Sequence, residues 1–102
     1  MFRPQRPLEQ IGLKAQADKL DQVIFAGFTH QPAEELAEKL ITIVPPGLSH
    51  VFFSDSGSTA VEVALKLAVQ YWAQNGRPSR TRFVALDGGF HGETIGATAI
   101  GG

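Results

Sequence analysis

The chain is 102 residues long, the size of one small domain with room for a single modest core. Hydrophobic residues at 43% and charged residues at 19% place it among folded globular chains rather than disordered ones, and 9 basic against 10 acidic residues leave no electrostatic footprint for nucleic acid or an anionic membrane. With no cysteine there is no disulfide framework, no thiolate metal site and no cysteine nucleophile, and no metal centre is expected.

Met1–Pro7 carries basic residues but no apolar h-region follows, and no apolar stretch approaches a membrane span, so the default expectation is a cytoplasmic protein. Leu8 to Leu20 has an imperfect helical spacing of apolar residues, with Lys14 and Lys19 on the wetter side. Val23–Phe28 suits an extended segment that bends at Gly27. After Pro32, the residues Ala33, Leu36, Ala37, Leu40 and Ile41 recur at helical spacing, and Pro45-Pro46-Gly47 ends that amphipathic helix.

His50–Ser54 is a short apolar run that predicts a buried strand, and the turn Asp55-Ser56-Gly57-Ser58-Thr59 leads into a long helix from Ala60 to about Gln74, closed by Asn75-Gly76. Its polar residues reduce to Glu62, Lys66, Gln70 and Gln74, which predicts a helix covered on most sides and a minor Glu62–Lys66 pair. Arg82–Leu86 predicts a second strand, and Asp87-Gly88-Gly89-Phe90-His91-Gly92 is a turn into a helix beginning near Glu93. Strand, helix and strand at this length predict a right-handed parallel β-α-β unit, hence an α/β fold with helices on the sheet and no second domain.

Ligands of open α/β sheets collect at the carboxyl ends of parallel strands, where both glycine-rich turns would lie side by side. A phosphate over the start of the long helix would meet unpaired N–H groups, the positive end of the helix dipole and the hydroxyls of Ser56, Ser58 and Thr59, with Gly57 allowing close approach. Taken alone, this turn is better explained by Ser58 or Thr59 capping the helix, and it is neither a Walker loop nor a dinucleotide fingerprint. Phe90 and His91 could offer a flat ring face and an imidazole to a ligand held there, or simply pack in a tight turn.

The segments VIFAGFTHQPAEELAEKL, HVFFSDSGSTAVEVALKLAVQYW and RFVALDGGFHGETIGA resemble successive stretches of class III aminotransferases of fold type I, from about Leu20 to the end of the chain. The resemblance implies a pyridoxal 5'-phosphate cofactor whose phosphate is held by Gly57 and Ser58, with Thr59 close behind. It also implies an aromatic stack on the cofactor ring by Phe90, which shapes the substrate pocket, followed by His91. FAGFTH, SDSGS with AVEVALK, and QYW together are most similar to the biotin-pathway branch. That branch moves the amino group of S-adenosylmethionine to 8-amino-7-oxononanoate to give 7,8-diaminononanoate, and its members are homodimers.

That branch typically has tyrosine at the position of Phe90, so a substrate-positioning hydroxyl is absent here. Another class III aminotransferase, acting on an omega-amino acid or a diamine, is therefore an alternative. The family's Schiff-base lysine lies downstream of the matching stretch. Residues 1–102 are thus expected to be a truncated part of the cofactor-binding large domain, without a catalytic residue and inactive by itself. Lys14, Lys19, Lys39 and Lys66 read as solvated helix residues. Two competitors from other classes are a hydrolase built on Ser56 or Ser58 with His91 and Asp87, which lacks a G-x-S-x-G elbow, and a non-catalytic phosphate-binding remnant.

Overall fold

The structure, a computed structural model, describes residues 7–101, so the reading of Met1–Pro7 as lacking a targeting segment lies almost wholly outside the described residues. Among the described residues four helices follow one another: α1 (Pro7–Ala17), α2 (Gln31–Ile43), α3 (Gly57–Gln74) and α4 (Ile95–Ala99). They fall into two units, Met1–Val51 and Phe52–Gly102.

In the first unit, α1 ends three residues before the predicted Leu20 and has no buried residue. Helix α2 begins where proline permits, because the first turn has no intrahelical use for the missing N–H. His30 is its N-cap: the ring Nδ1 accepts the N–H of Ala33 at 3.2 Å, and Phe25 meets the same imidazole edge-on with centroids 5.2 Å apart. Of the predicted apolar face, Ala33 is buried at 7% exposure, while Leu36 and Ile41 remain exposed.

In the second unit, α3 starts at Gly57, three residues earlier than the spacing predicts, and α4 starts two residues later than predicted. Asn75 and Gly76 close α3 as expected. Gly76 takes φ +74, the left-handed conformation that lets the N–H of Arg77 turn back to the carbonyl of Trp72 at 2.9 Å. The core contact of this unit is α3 against α4, where Ala97 is fully buried.

The strands predicted at His50–Ser54 and Arg82–Leu86 do not form among the described residues. A strand is completed by hydrogen bonds to a neighbour, and neither segment has such a ladder; Val84 and Leu86 stand 102% and 81% exposed. The expected cover over α3 is likewise absent among the described residues, and Leu67 and Tyr71 are exposed. No helix among the described residues is long and apolar enough to cross a membrane.

Candidate functional site

The site is built on the first turn of α3. Ser56 is the N-cap: its extended backbone (φ −155, ψ 169) turns the hydroxyl inward, where Oγ accepts the N–H of Thr59 at 3.2 Å. Thr59 reciprocates, its Oγ1 accepting the N–H of Ser56 at 2.9 Å, which completes a capping box. The cap is thus Ser56 rather than Ser58 or Thr59. All three residue types can cap, and only the backbone angle at Ser56 decides among them.

This arrangement leaves a defined set of donors. The first intrahelical bond runs from Ala60 N–H to Ser56 O at 3.0 Å, and Thr59 N–H is taken by the cap. The N–H groups of Gly57 and Ser58 therefore sit at the positive end of an 18-residue helix with no use inside it. A Cβ added to Gly57 would enter open space, so a ligand can approach the backbone on that side.

The second turn closes over the first. Ser58 Oγ accepts the N–H of Glu93 at 3.1 Å, which occupies an acceptor site of the hydroxyl and leaves its O–H to donate. Gly92 is buried here at φ +127, and a Cβ on it would lie 2.7 Å from Ser58 Cβ and 2.8 Å from Ser58 Cα. Both the conformation and the contact demand glycine.

One helical turn beyond Ser58, Glu62 reaches the same segment. Its Oε1 accepts the N–H of Gly96 and, at 3.2 Å, that of Ala97. The carboxyl is held below its ordinary range, first by the neighbouring Thr94 hydroxyl and then by the N–H groups of Gly96 and Ala97, against a partial loss of hydration. Glu62 is thus committed to α4 rather than to Lys66. The residues alone do not reveal this role, since its partners lie 34 and 35 positions away. In the sequence Thr94 would pass for a cap, but its side chain does not cap α4, so the orphan donors need an acceptor from elsewhere.

Gly57, Ser58, Val61, Phe90, His91 and Gly92 line one open cleft of about 440 Å³, within the size range of small-molecule sites. Four of the five predicted cofactor residues meet there. The fifth, Thr59, is turned into the capping box, where its hydroxyl also reaches Ser54 Oγ at 3.1 Å. Phe90 is 79% exposed and presents its ring to the cleft. His91 Nε2 is buried with no hydrogen-bond partner among the described residues, a polar atom that a bound group could satisfy. No serine–histidine bond of a hydrolytic triad forms among the described residues: Ser58 Oγ bonds Glu93, and Ser56 Oγ faces Thr59.

The sequence matches the profile described as aminotransferase class-III over residues 10–102. It is 58% identical over 86 residues to the adenosylmethionine-8-amino-7-oxononanoate aminotransferase of Synechococcus elongatus, covering 84% of this chain and 20% of that protein. The enzyme of the same name from Geobacter sulfurreducens is 48% identical over 90 residues, covering 88% of this chain and 20% of that one. In structure, the chain is similar to an amine transaminase from an uncultivated Pseudomonas species in its PLP-bound form, with TM-score 0.86 and 41% identity over 96% of this chain and 22% of that one. The chain spans about a fifth of the length of these relatives.

Proposed function

The chain belongs to the aminotransferase class-III family, and on that footing we propose that the cleft at the start of α3 is the phosphate end of a pyridoxal 5'-phosphate site. The observation that carries this reading is the convergence of Gly57, Ser58, Phe90 and His91 on one cleft. The donor set fits: two helix-terminal N–H groups and the Ser58 O–H suit phosphate oxygens, and the exposed Phe90 suits a flat ring. Thr59 acts from behind by fixing Ser56.

When bound, pyridoxal 5'-phosphate supplies the electron sink for amino-group transfer. This chain's residues anchor and orient: Gly57 and Ser58 fix the phosphate, Phe90 sets the ring plane and walls the substrate pocket, and the close approach of Gly92 to Ser58 keeps the two turns in register. Among the described residues no lysine lines the cleft.

For the whole protein the proposed reaction is transfer of the amino group of S-adenosylmethionine to 8-amino-7-oxononanoate, giving 7,8-diaminononanoate in biotin synthesis. The names of the Synechococcus and Geobacter relatives support it. The proposed setting is a homodimer in which residues 1–102 contribute to the cofactor-binding large domain, with segments 50–54 and 82–86 as strands of its parallel sheet. A second reading, an aminotransferase for other amines, draws on the amine transaminase likeness and on Phe90, which has no hydroxyl to position a substrate.

Titrating pyridoxal 5'-phosphate into the cofactor-free whole protein and following its absorbance is expected to show saturable binding that inorganic phosphate competes with. Binding that never saturates, or that phosphate leaves untouched, would sink the cofactor reading. In the whole protein, turnover of 8-amino-7-oxononanoate with S-adenosylmethionine as donor supports the biotin-pathway reaction. Turnover confined to simple primary amines supports the second reading.

A further inference from the structure

We infer that Glu62 is a positioning residue that latches the 87–97 segment onto α3 and so holds Phe90, His91 and Gly92 over the helix start. Three observations converge. Glu62 Oε1 collects the N–H groups of Gly96 and Ala97, two donors of a helix whose own N-cap residue provides no side-chain acceptor. Glu62 lies four residues after Ser58, on the same face of α3, and Ser58 Oγ holds the N–H of Glu93. The carboxylate and the hydroxyl therefore grip the same segment at two points, one on each side of Thr94. Finally, a Cβ on Gly96 would lie 2.9 Å from Glu62 Cδ and Oε1, so the carboxylate is seated directly against residue 96 and would have to shift to admit a side chain there.

The short α4, five residues long, cannot order itself by propensity, since an isolated helix of that length does not persist in water. Its order, and with it the placement of the turn before it, depends on contacts from α3. Ser58 alone fixes the point next to Gly92; without Glu62 the segment could pivot about that point. The charge on Glu62 strengthens both N–H bonds relative to a neutral acceptor. The bearing of the latch on ligand binding rests on the cofactor reading above, while the latch itself is a property of the protein and can be measured without any ligand.

The test is amide hydrogen exchange in the whole protein and in its Glu62→Ala, Glu62→Gln and Gly96→Ala variants. Protection at Gly96 and Ala97 is expected to fall by about tenfold or more in Glu62→Ala, the scale of hydrogen bonds to a charged acceptor. Gly96→Ala, which only pushes the mobile carboxylate aside, is expected to lower protection less than Glu62→Ala does. Glu62→Gln keeps an oxygen acceptor and is expected to recover much of the protection, a rescue that general loss of folding would not show. The α3 amides from Leu65 to Gln70 should be unchanged in all three. Unaltered protection at residues 96 and 97 in Glu62→Ala, or a uniform loss along α3, would overturn the latch. Pyridoxal 5'-phosphate titrations of the same variants should weaken in the order of lost protection. A parent chain that binds no cofactor while the exchange pattern holds would count against the cofactor reading alone.

Discussion

The two ends of α3 are held in different ways. At the start, Ser58 and Glu62 bond to residues 34 to 36 positions further along the chain, so the helix terminus is tied to a distant turn. At the end, everything is local. Asn75 and Gly76 terminate the helix, Tyr71 meets Trp72 edge-on at 5.2 Å, and the guanidiniums of Arg77 and Arg80 lie 5.6 and 4.1 Å from the Trp72 ring centre. The local end finishes the helix and borders a cleft of about 520 Å³ beside Trp72, Arg80, Arg82 and Phe83. The non-local end gathers unused N–H donors, an aromatic face and an imidazole, which is what a binding site requires and a helix terminus does not.

Substitutions should separate these ends. The largest effect is expected from Gly92→Ala, which forces a side chain into a left-handed conformation and against Ser58; a loss of pyridoxal 5'-phosphate affinity of about a hundredfold follows from roughly 1–3 kcal/mol of strain plus the overlap. Ser58→Ala removes one hydroxyl that serves both turns, and an affinity loss of about tenfold is expected, with helix content by circular dichroism unchanged. Ser56→Ala should cost about 1 kcal/mol of stability, read as a lowered melting temperature, because it removes the cap but no ligand contact.

Acid should act more gently and only at the non-local end. The folded pKa of Glu62 lies below its ordinary 4.5, so its contribution is complete above that range and is lost as the pH falls through the lowered value. The Gly96 and Ala97 amide signals should therefore titrate with a midpoint below 4.5; a midpoint above it would contradict the hydrogen-bonded carboxylate. The smallest effect belongs to Arg80→Ala, which removes an exposed cation–π contact of about 0.5–1 kcal/mol and should alter Trp72 fluorescence without touching cofactor affinity.

How much of this was legible in the residues follows the same division. Local rules found what is local: Pro32 in the first turn of α2, the stop at Asn75-Gly76, and the two glycine-rich turns as candidate partners. The serine-rich turn was ambiguous because Ser56, Ser58 and Thr59 can all cap, and the structure divides the work, with Ser56 and Thr59 capping and Ser58 freed for the cleft. The two strand segments lack a ladder among the described residues for a physical reason, since a run such as Arg82–Leu86 states a preference for extension but cannot supply the neighbour that makes it a strand. Glu62 was read as half of an i,i+4 pair because spacing shows only neighbours on its own helix, while its true partners arrive from α4.

The central claim is that the start of α3, and not its end, is the anion-binding terminus. Backbone amide shifts of the isotopically labelled chain, followed as pyridoxal 5'-phosphate is added, test it most directly. The account predicts that the largest changes fall at Gly57, Ser58 and Gly92 and saturate together. Changes that centre instead on Trp72, Arg77 and Arg80, or that spread without saturation, would contradict it.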